Sequence, residues 1–220
     1  MKLLAVIAAF TAAAFGALAS PLELQPPEEN RLPGPAGFSI TSIITKGSSC
    51  PTGGISYTLN PTSTAVTLLF SGYYTGVGPN KPVPPPPYFS TSQRRCSITL
   101  SLRIPSGYKL SIPTVAYHGY YHLEERVIVT HRAACAFLGQ GAYNTATSTR
   151  TGPVDGLVDT LDTFDRSCSA WTCTTSGSVT TPLDLNTRIQ LSNIQDTSKS
   201  GWLTTDGRFA IDLNFSWEKC

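Results

Sequence analysis

The chain has 220 residues, 16 Lys+Arg against 14 Asp+Glu, with 40% hydrophobic and only 14% charged residues. Its formal charge of +2, about +1 without Lys2, excludes the strong field that nucleic acid or an anionic membrane surface would demand. Eighteen glycines and 17 prolines, with abundant Thr and Ser, predict many turns between short strands rather than long helices.

The first segment is MKLLAVIAAFTAAAFGALAS. Lys2 supplies a minimal positive region, Leu3 to Phe15 an apolar one, and Ala17-Leu18-Ala19 a small-x-small cleavage site. Residues 1–19 are therefore expected to be a secretory signal peptide, cut after Ala19. It is too short and wrongly flanked for a stable membrane span, and no later stretch is apolar enough to make one. Residues 20–37 form a Pro-rich N-terminal tail, and residues 38–220 are expected to fold as one domain.

From Phe38 the pattern turns to β runs: FSITSIIT, ISYTL, then AVTLLF. GVGPNKPVPPPPYF follows and is expected to be neither strand nor helix, since four prolines from Pro84 impose polyproline II, a stiff surface loop here rather than an SH3-type ligand. CSITLSLRI places Cys96, Ile98, Leu100, Leu102 and Ile104 on one face. PSGY is a turn, and YKLSI, TVAYHGYYHL and RVIVTHRAACAFLG continue the strand pattern. Residues 139–178 are Thr/Ser/Gly-rich, with DGLVDTLDTFD as their one helix-like piece. The last strand alternates most clearly, with Phe209, Ile211, Leu213, Phe215 and Trp217 on one side. Eight to ten such strands need a second layer over their apolar faces. The fold class is all-β: an antiparallel two-sheet β-sandwich, jelly-roll-like or Greek-key, with a β-barrel as the alternative.

Six cysteines, Cys50, Cys96, Cys135, Cys168, Cys173 and Cys220, follow the leader, and an even count in an oxidising compartment reads as three disulfides. Spacing leaves fifteen pairings open. Cys220 ends the chain three residues after Trp217, and a bond to Cys168 or Cys173 would tie that end down. Closing a loop of about 50 residues is worth roughly 4 kcal/mol in the chain-entropy model.

Several stretches together resemble a known family, the small secreted fungal proteins carrying the domain of unknown function numbered 4360. The matching pieces are CPTGG, NPTSTAVTLLF, RRCSITLSLRIPSGYKLSI, VAYHGYYHLEERV, GPVDGLVDTLDTFDRSC, LDLNTRIQLSN, GWLTTDG and a closing W-x-x-C. The resemblance implies a secreted β protein to which no catalytic residue can be carried over. It also implies disulfides Cys50–Cys96 and Cys168–Cys220, leaving Cys135–Cys173 by elimination.

Candidate chemistry is sparse. His118, His122 and His131 are the only histidines. HGYYH has the i, i+4 spacing of helical metal ligands, but on a strand those positions lie about 13 Å apart, so no metal site is expected. His131 falls on an apolar face and is expected to be a hydrogen-bonded interior residue. Asp155, Asp159, Asp162 and Asp165 read as the polar face of a short helix above Leu157, Leu161 and Phe164, not as a calcium loop. An enzyme would need Glu124, Glu125 or an Asp to meet His118 or His122 in a cleft; without a recognisable motif, no catalytic residue, enzyme activity or cofactor is expected. Aromatics offer the binding hint: among Tyr73, Tyr74, Tyr117, Tyr120, Tyr121, Tyr143 and Trp171, the candidate binding residues are Tyr120, Tyr121 and Trp171. Asn214-Phe215-Ser216 is the only N-glycosylation sequon.

These readings converge on a monomeric, secreted, non-enzymatic fungal interaction protein, an apoplastic effector or elicitor, with an extracellular protein or a cell-wall glycan as partner. The alternative function is an extracellular carbohydrate-binding module.

Overall fold

The computed structural model describes residues 32–80, 89–139, 141–170, 173, 175–204 and 209–220. The expected signal peptide, most of the Pro-rich tail, the proline run and Trp171 lie outside the described residues. Among the described residues twelve strands form two antiparallel sheets that remain separate layers, not a closed barrel. The five-stranded sheet has the order β1 (Ser39–Lys46), β5 (Thr91–Pro105), β10 (Ser178–Ser192), β7 (Ile128–Phe137) and β8 (Asn144–Thr151). The seven-stranded sheet begins with β2 (Ile55–Leu59), β3 (Ala65–Phe70), β12 (Phe209–Lys219) and β6 (Tyr108–Leu123), and continues through β11 (Gly201–Thr204) to β4 (Thr75–Val77).

β6 organises the second layer. Along one edge it pairs first with β12 and then, from Tyr120 to Leu123, with β11. Its other edge carries β9 (Val154–Ser169). The register shifts between Ile112 and Thr114, at Pro113, which has no N–H for a ladder. The buried set accordingly changes phase, from Leu110 and Ile112 to Val115, Tyr117, Tyr121 and Leu123. The chain passes from β5 in one layer to β6 in the other through Ser106 and Gly107, whose φ of 78° suits glycine.

Two expectations about local structure are corrected. Residues 155–165 are the middle of strand β9, not a helix. Val158, Asp162 and Phe164 point inward, while Leu157 and Leu161, expected beneath the helix, are 72% and 49% exposed. The acidic spacing imitated a helical face, but the free edge of β6 captures the segment, and its true period is two. The stretch beginning at Gly76 also contributes a strand, β4, because Gly76 and Val77 pair with β11 ahead of the prolines.

The inward faces close on one core. β12 alternates as expected, with Phe209, Ile211, Leu213 and Phe215 fully buried. Buried polar groups pair across the layers: the Tyr73 and Thr187 hydroxyls are 3.1 Å apart, and the Tyr121 hydroxyl lies 2.9 Å from His131 Nε2. Burial, assisted by the Arg150 charge, pushes the His131 pKa from 6.5 down to about 3. The folded state thus favours the neutral ring, a contribution complete above pH 6.5 and lost as pH falls towards 3. Melting temperature is expected to fall with acidification over that window by an amount that disappears in His131→Phe; parallel pH profiles for the two proteins would contradict this.

The disulfides join Cys50 to Cys96, Cys135 to Cys168 and Cys173 to Cys220. The pairings Cys168–Cys220 and Cys135–Cys173 are therefore corrected. β9 carries Cys168 inward, its Cα 6.1 Å from that of Cys135 on β7 in the facing sheet. Cys173 lies five residues further on, beside the chain end, with Cα atoms 5.7 Å apart.

Candidate functional site

Alternation gives β9, β6, β11 and β12 an outer set as well as an inner one. β6 presents His118, Tyr120 and His122; β9 presents Asp155, Leu157 and Asp159; β11 presents Trp202 and β12 Asp212. Register then makes rows of them. Trp202 stands opposite His122 and His122 opposite Asp155; the next rows pair Tyr120 with Leu157 and His118 with Asp159.

The contacts are specific. The His122 ring stacks on the Trp202 indole with centroids 3.8 Å apart and planes 17° from parallel. Its Nδ1 lies 3.3 Å from Asp155 Oδ1, the same oxygen that accepts the Tyr120 hydroxyl at 2.5 Å. His118 is held from both sides, Nδ1 2.7 Å from Asp159 and Nε2 3.1 Å from Asp212. The bond to Asp212 raises the His118 pKa from 6.5 to about 9 against the effect of burial, and Asp159 adds to the rise. Burial acts to raise Asp212 too, but hydrogen bonds from His118 and Thr67 hold its carboxyl below the usual range. Tyr120, then His122, hold Asp155 below that range. At neutral pH the face carries the His118 imidazolium between two carboxylates, beside an aromatic pair flanked by a third carboxylate and a phenol.

Of the candidate binding residues, Tyr120 belongs to this face and Tyr121 does not. Successive strand residues point to opposite sides, so Tyr121 is turned into the core and is 1% exposed. Tyr73 and Tyr117 are buried as well, while Tyr143 is 48% exposed elsewhere. Asp159 and Asp155 meet His118 and His122, whereas Glu124 Oε2 accepts the Ser200 N–H and Glu125 lies exposed near Arg126. The remaining aspartates divide: Asp162 is buried, and Asp165 accepts the Thr145 N–H. Asn214 is half-buried on the outer side of β12 and donates to Thr114. Trp202 escaped the sequence reading. The available signal was Leu203 on the inner side of GWLT, which turns its neighbour outward.

Such a face can act in two ways: flat rings stack against the C–H side of a sugar or an apolar side chain, and the carboxylates and phenol hydrogen-bond to hydroxyls. The fold and this face together define a disulfide-bonded, two-layer all-β extracellular protein. A family model described as a domain of unknown function, DUF4360, matches residues 36–220, and the chain belongs to that family. A protein of Arthroderma benhamiae described as an uncharacterized secreted protein is 26% identical over 195 residues, covering 86% of this chain and 74% of the relative. Among solved structures, TmCBM61 in complex with β-1,4-galactotriose covers 82% of this chain and 90% of its own, at 8% identity and a TM-score of 0.21. A second, from work on promiscuous carbohydrate-binding modules of the β-sandwich superfamily, covers 70% and 73%, at 8% identity and a TM-score of 0.23. The protein is secreted, in keeping with its secreted relative and its three disulfides.

Proposed function

We propose that the chain is a non-enzymatic extracellular binding protein whose ligand is a neutral cell-wall glycan lying on the outer face of β9, β6 and β11. The observation that carries this reading is the Trp202–His122 stack with Tyr120 and Asp155 beside it: an aromatic pair on the outer side of the sheet adjoining hydrogen-bonding groups already held in position. The same contacts favour binding over catalysis. His118, held protonated by Asp212 and Asp159, is no general base at neutral pH, and Asp155 is engaged by two donors. Retention of the purified chain on chitin, β-glucan and cellulose tests the reading. One of these matrices is expected to retain it, and Trp202→Ala to weaken retention by roughly 5- to 150-fold, as loss of about 1–3 kcal/mol of stacking would. Retention by none of them, or undiminished retention of the variant, would overturn it.

A protein partner is the second reading, favoured by Leu157 and Leu161, which stand exposed on the same face. In that case the chain acts as an effector or elicitor. Plant tissue infiltrated with the mature protein should then respond, and should respond less to the Leu157→Ser, Leu161→Ser double variant; equal responses would remove this reading.

A further inference from the structure

The opposite outer face has the opposite charge. On the strands of the five-stranded sheet Lys46, Arg95, Arg103, Arg132 and Arg188 lie on the outer side with one carboxylate, Asp184, while Arg94 and Arg150 are in phase with the buried set. The strands of the seven-stranded sheet hold six Asp and Glu, of which only Asp162 is buried, against three Lys and Arg. The near-zero net charge of the chain conceals this sidedness.

Register concentrates the positive charge. Arg188 on β10 stands directly opposite Arg95 on β5 and, across its other edge, directly opposite Arg132 on β7. Their neighbours Cys96, Ile189, His131 and Ala133 are buried, so the three arginines project outward as one row across three strands. Neighbouring strands are about 4.8 Å apart, and like charges set directly opposite destabilise a sheet. Among the described residues no carboxylate forms an ion pair with any of the three; Arg188 bonds instead to the neutral amide of Gln190. Asp184 is four positions along β10 from Arg188, roughly 13 Å, and accepts the Thr99 hydroxyl at 2.7 Å. Lys46, opposite Ser97, extends the positive patch towards β1.

We infer that this row is a binding site for an anionic, carboxylate-bearing polysaccharide. The ligand class follows from charge complementarity and from the residue types around the row. Guanidinium groups bind carboxylates in bidentate pairs, and arginines at strand spacing can engage successive carboxylates of a linear polymer. The next row, Gln93, Gln190 and Thr130, supplies amides and a hydroxyl for sugar hydroxyls. The only Phe, Tyr or Trp on these five strands is Phe137, which is buried, so the strands themselves offer no platform for stacking a neutral sugar or a nucleobase. The site is independent of the Trp202 face.

The test uses the full secreted chain at low salt with polygalacturonate, its fully methyl-esterified form, polyglutamate and single-stranded DNA. Polygalacturonate is expected to bind best and the methyl ester not at all, with affinity falling as salt rises. Arg188→Gln should weaken binding by about tenfold, a step of roughly 1.4 kcal/mol, while Trp202→Ala should leave it unchanged. Without ligand, Arg188→Gln should melt no lower than the parent, since it relieves like-charge crowding. Equal binding of the methyl ester, stronger binding of polyglutamate or DNA, unchanged affinity of Arg188→Gln, or a lower melting point for that variant would each overturn the inference.

Discussion

Truncating Phe209 to alanine is expected to lower the melting temperature by on the order of 10 °C, more than any substitution on either outer face should. Phe209 has no exposed surface and stands where several aromatic side chains converge. Its ring stacks on Tyr73 at 5.0 Å with planes 9° apart, meets Phe70 at 5.6 Å and lies 6.5 Å from His131 of the facing sheet. β6 makes room for it with Gly119, where an added Cβ would come within 3.0 Å of the Phe209 ring. That is the physical reason for a glycine inside HGYYH. Alanine at 209 removes the ring and leaves a cavity between the layers, at a cost of about 3–5 kcal/mol. Gly119→Ala should also destabilise, by crowding that ring. Thermal unfolding followed by near-UV circular dichroism checks both; a Phe209→Ala protein melting within a degree or two of the parent would mean that this cluster does not anchor the core.

The second large effect concerns sulfur. Replacing Cys135 and Cys168 together by alanine is expected to cost about 2–5 kcal/mol. The bond closes a separation of 33 residues and ties β7 of one sheet to β9 of the other, with both cysteines at most 1% exposed. Cys173–Cys220 closes a separation of 47, so chain entropy alone would rank the two nearly equal. Accessibility separates them. Cys173 and Cys220 are exposed, so thiolate can reach their sulfurs from solvent, whereas Cys135–Cys168 and Cys50–Cys96 require an opening of the core. Under mild reductant at neutral pH, alkylation and peptide mass spectrometry should find Cys173 and Cys220 labelled first. Labelling of Cys135 and Cys168 at the same rate would refute the ranking.

Much of the architecture could be read locally. Phe209 to Trp217 and Cys96 to Ile104 alternate so regularly that each strand and its buried side follow from period two alone, and one-sided strands in that number demand two layers. His131 was legible as an interior residue because it lies in phase with Val129, Ala133 and Cys135. β9 was not, because its aspartates recur at four, three and three, and only the ladder to β6 reveals that Asp162 turns inward while Asp155 and Asp159 turn out. Tyr121 and Tyr120 are adjacent in the chain and opposite in role, a distinction that depends on which side of β6 faces the other sheet.

The chain by itself pointed to the extracellular, cysteine-bonded, all-β character of this protein, since composition, the expected signal peptide and alternation are properties of short windows. Tertiary structure alone decided which cysteines meet, that Trp202 joins His122 and Asp155, and that Arg95, Arg188 and Arg132 share a row. Each of those meetings unites residues tens of positions apart, and the register that unites them is fixed by how two apolar faces close on one another, which no local stretch encodes.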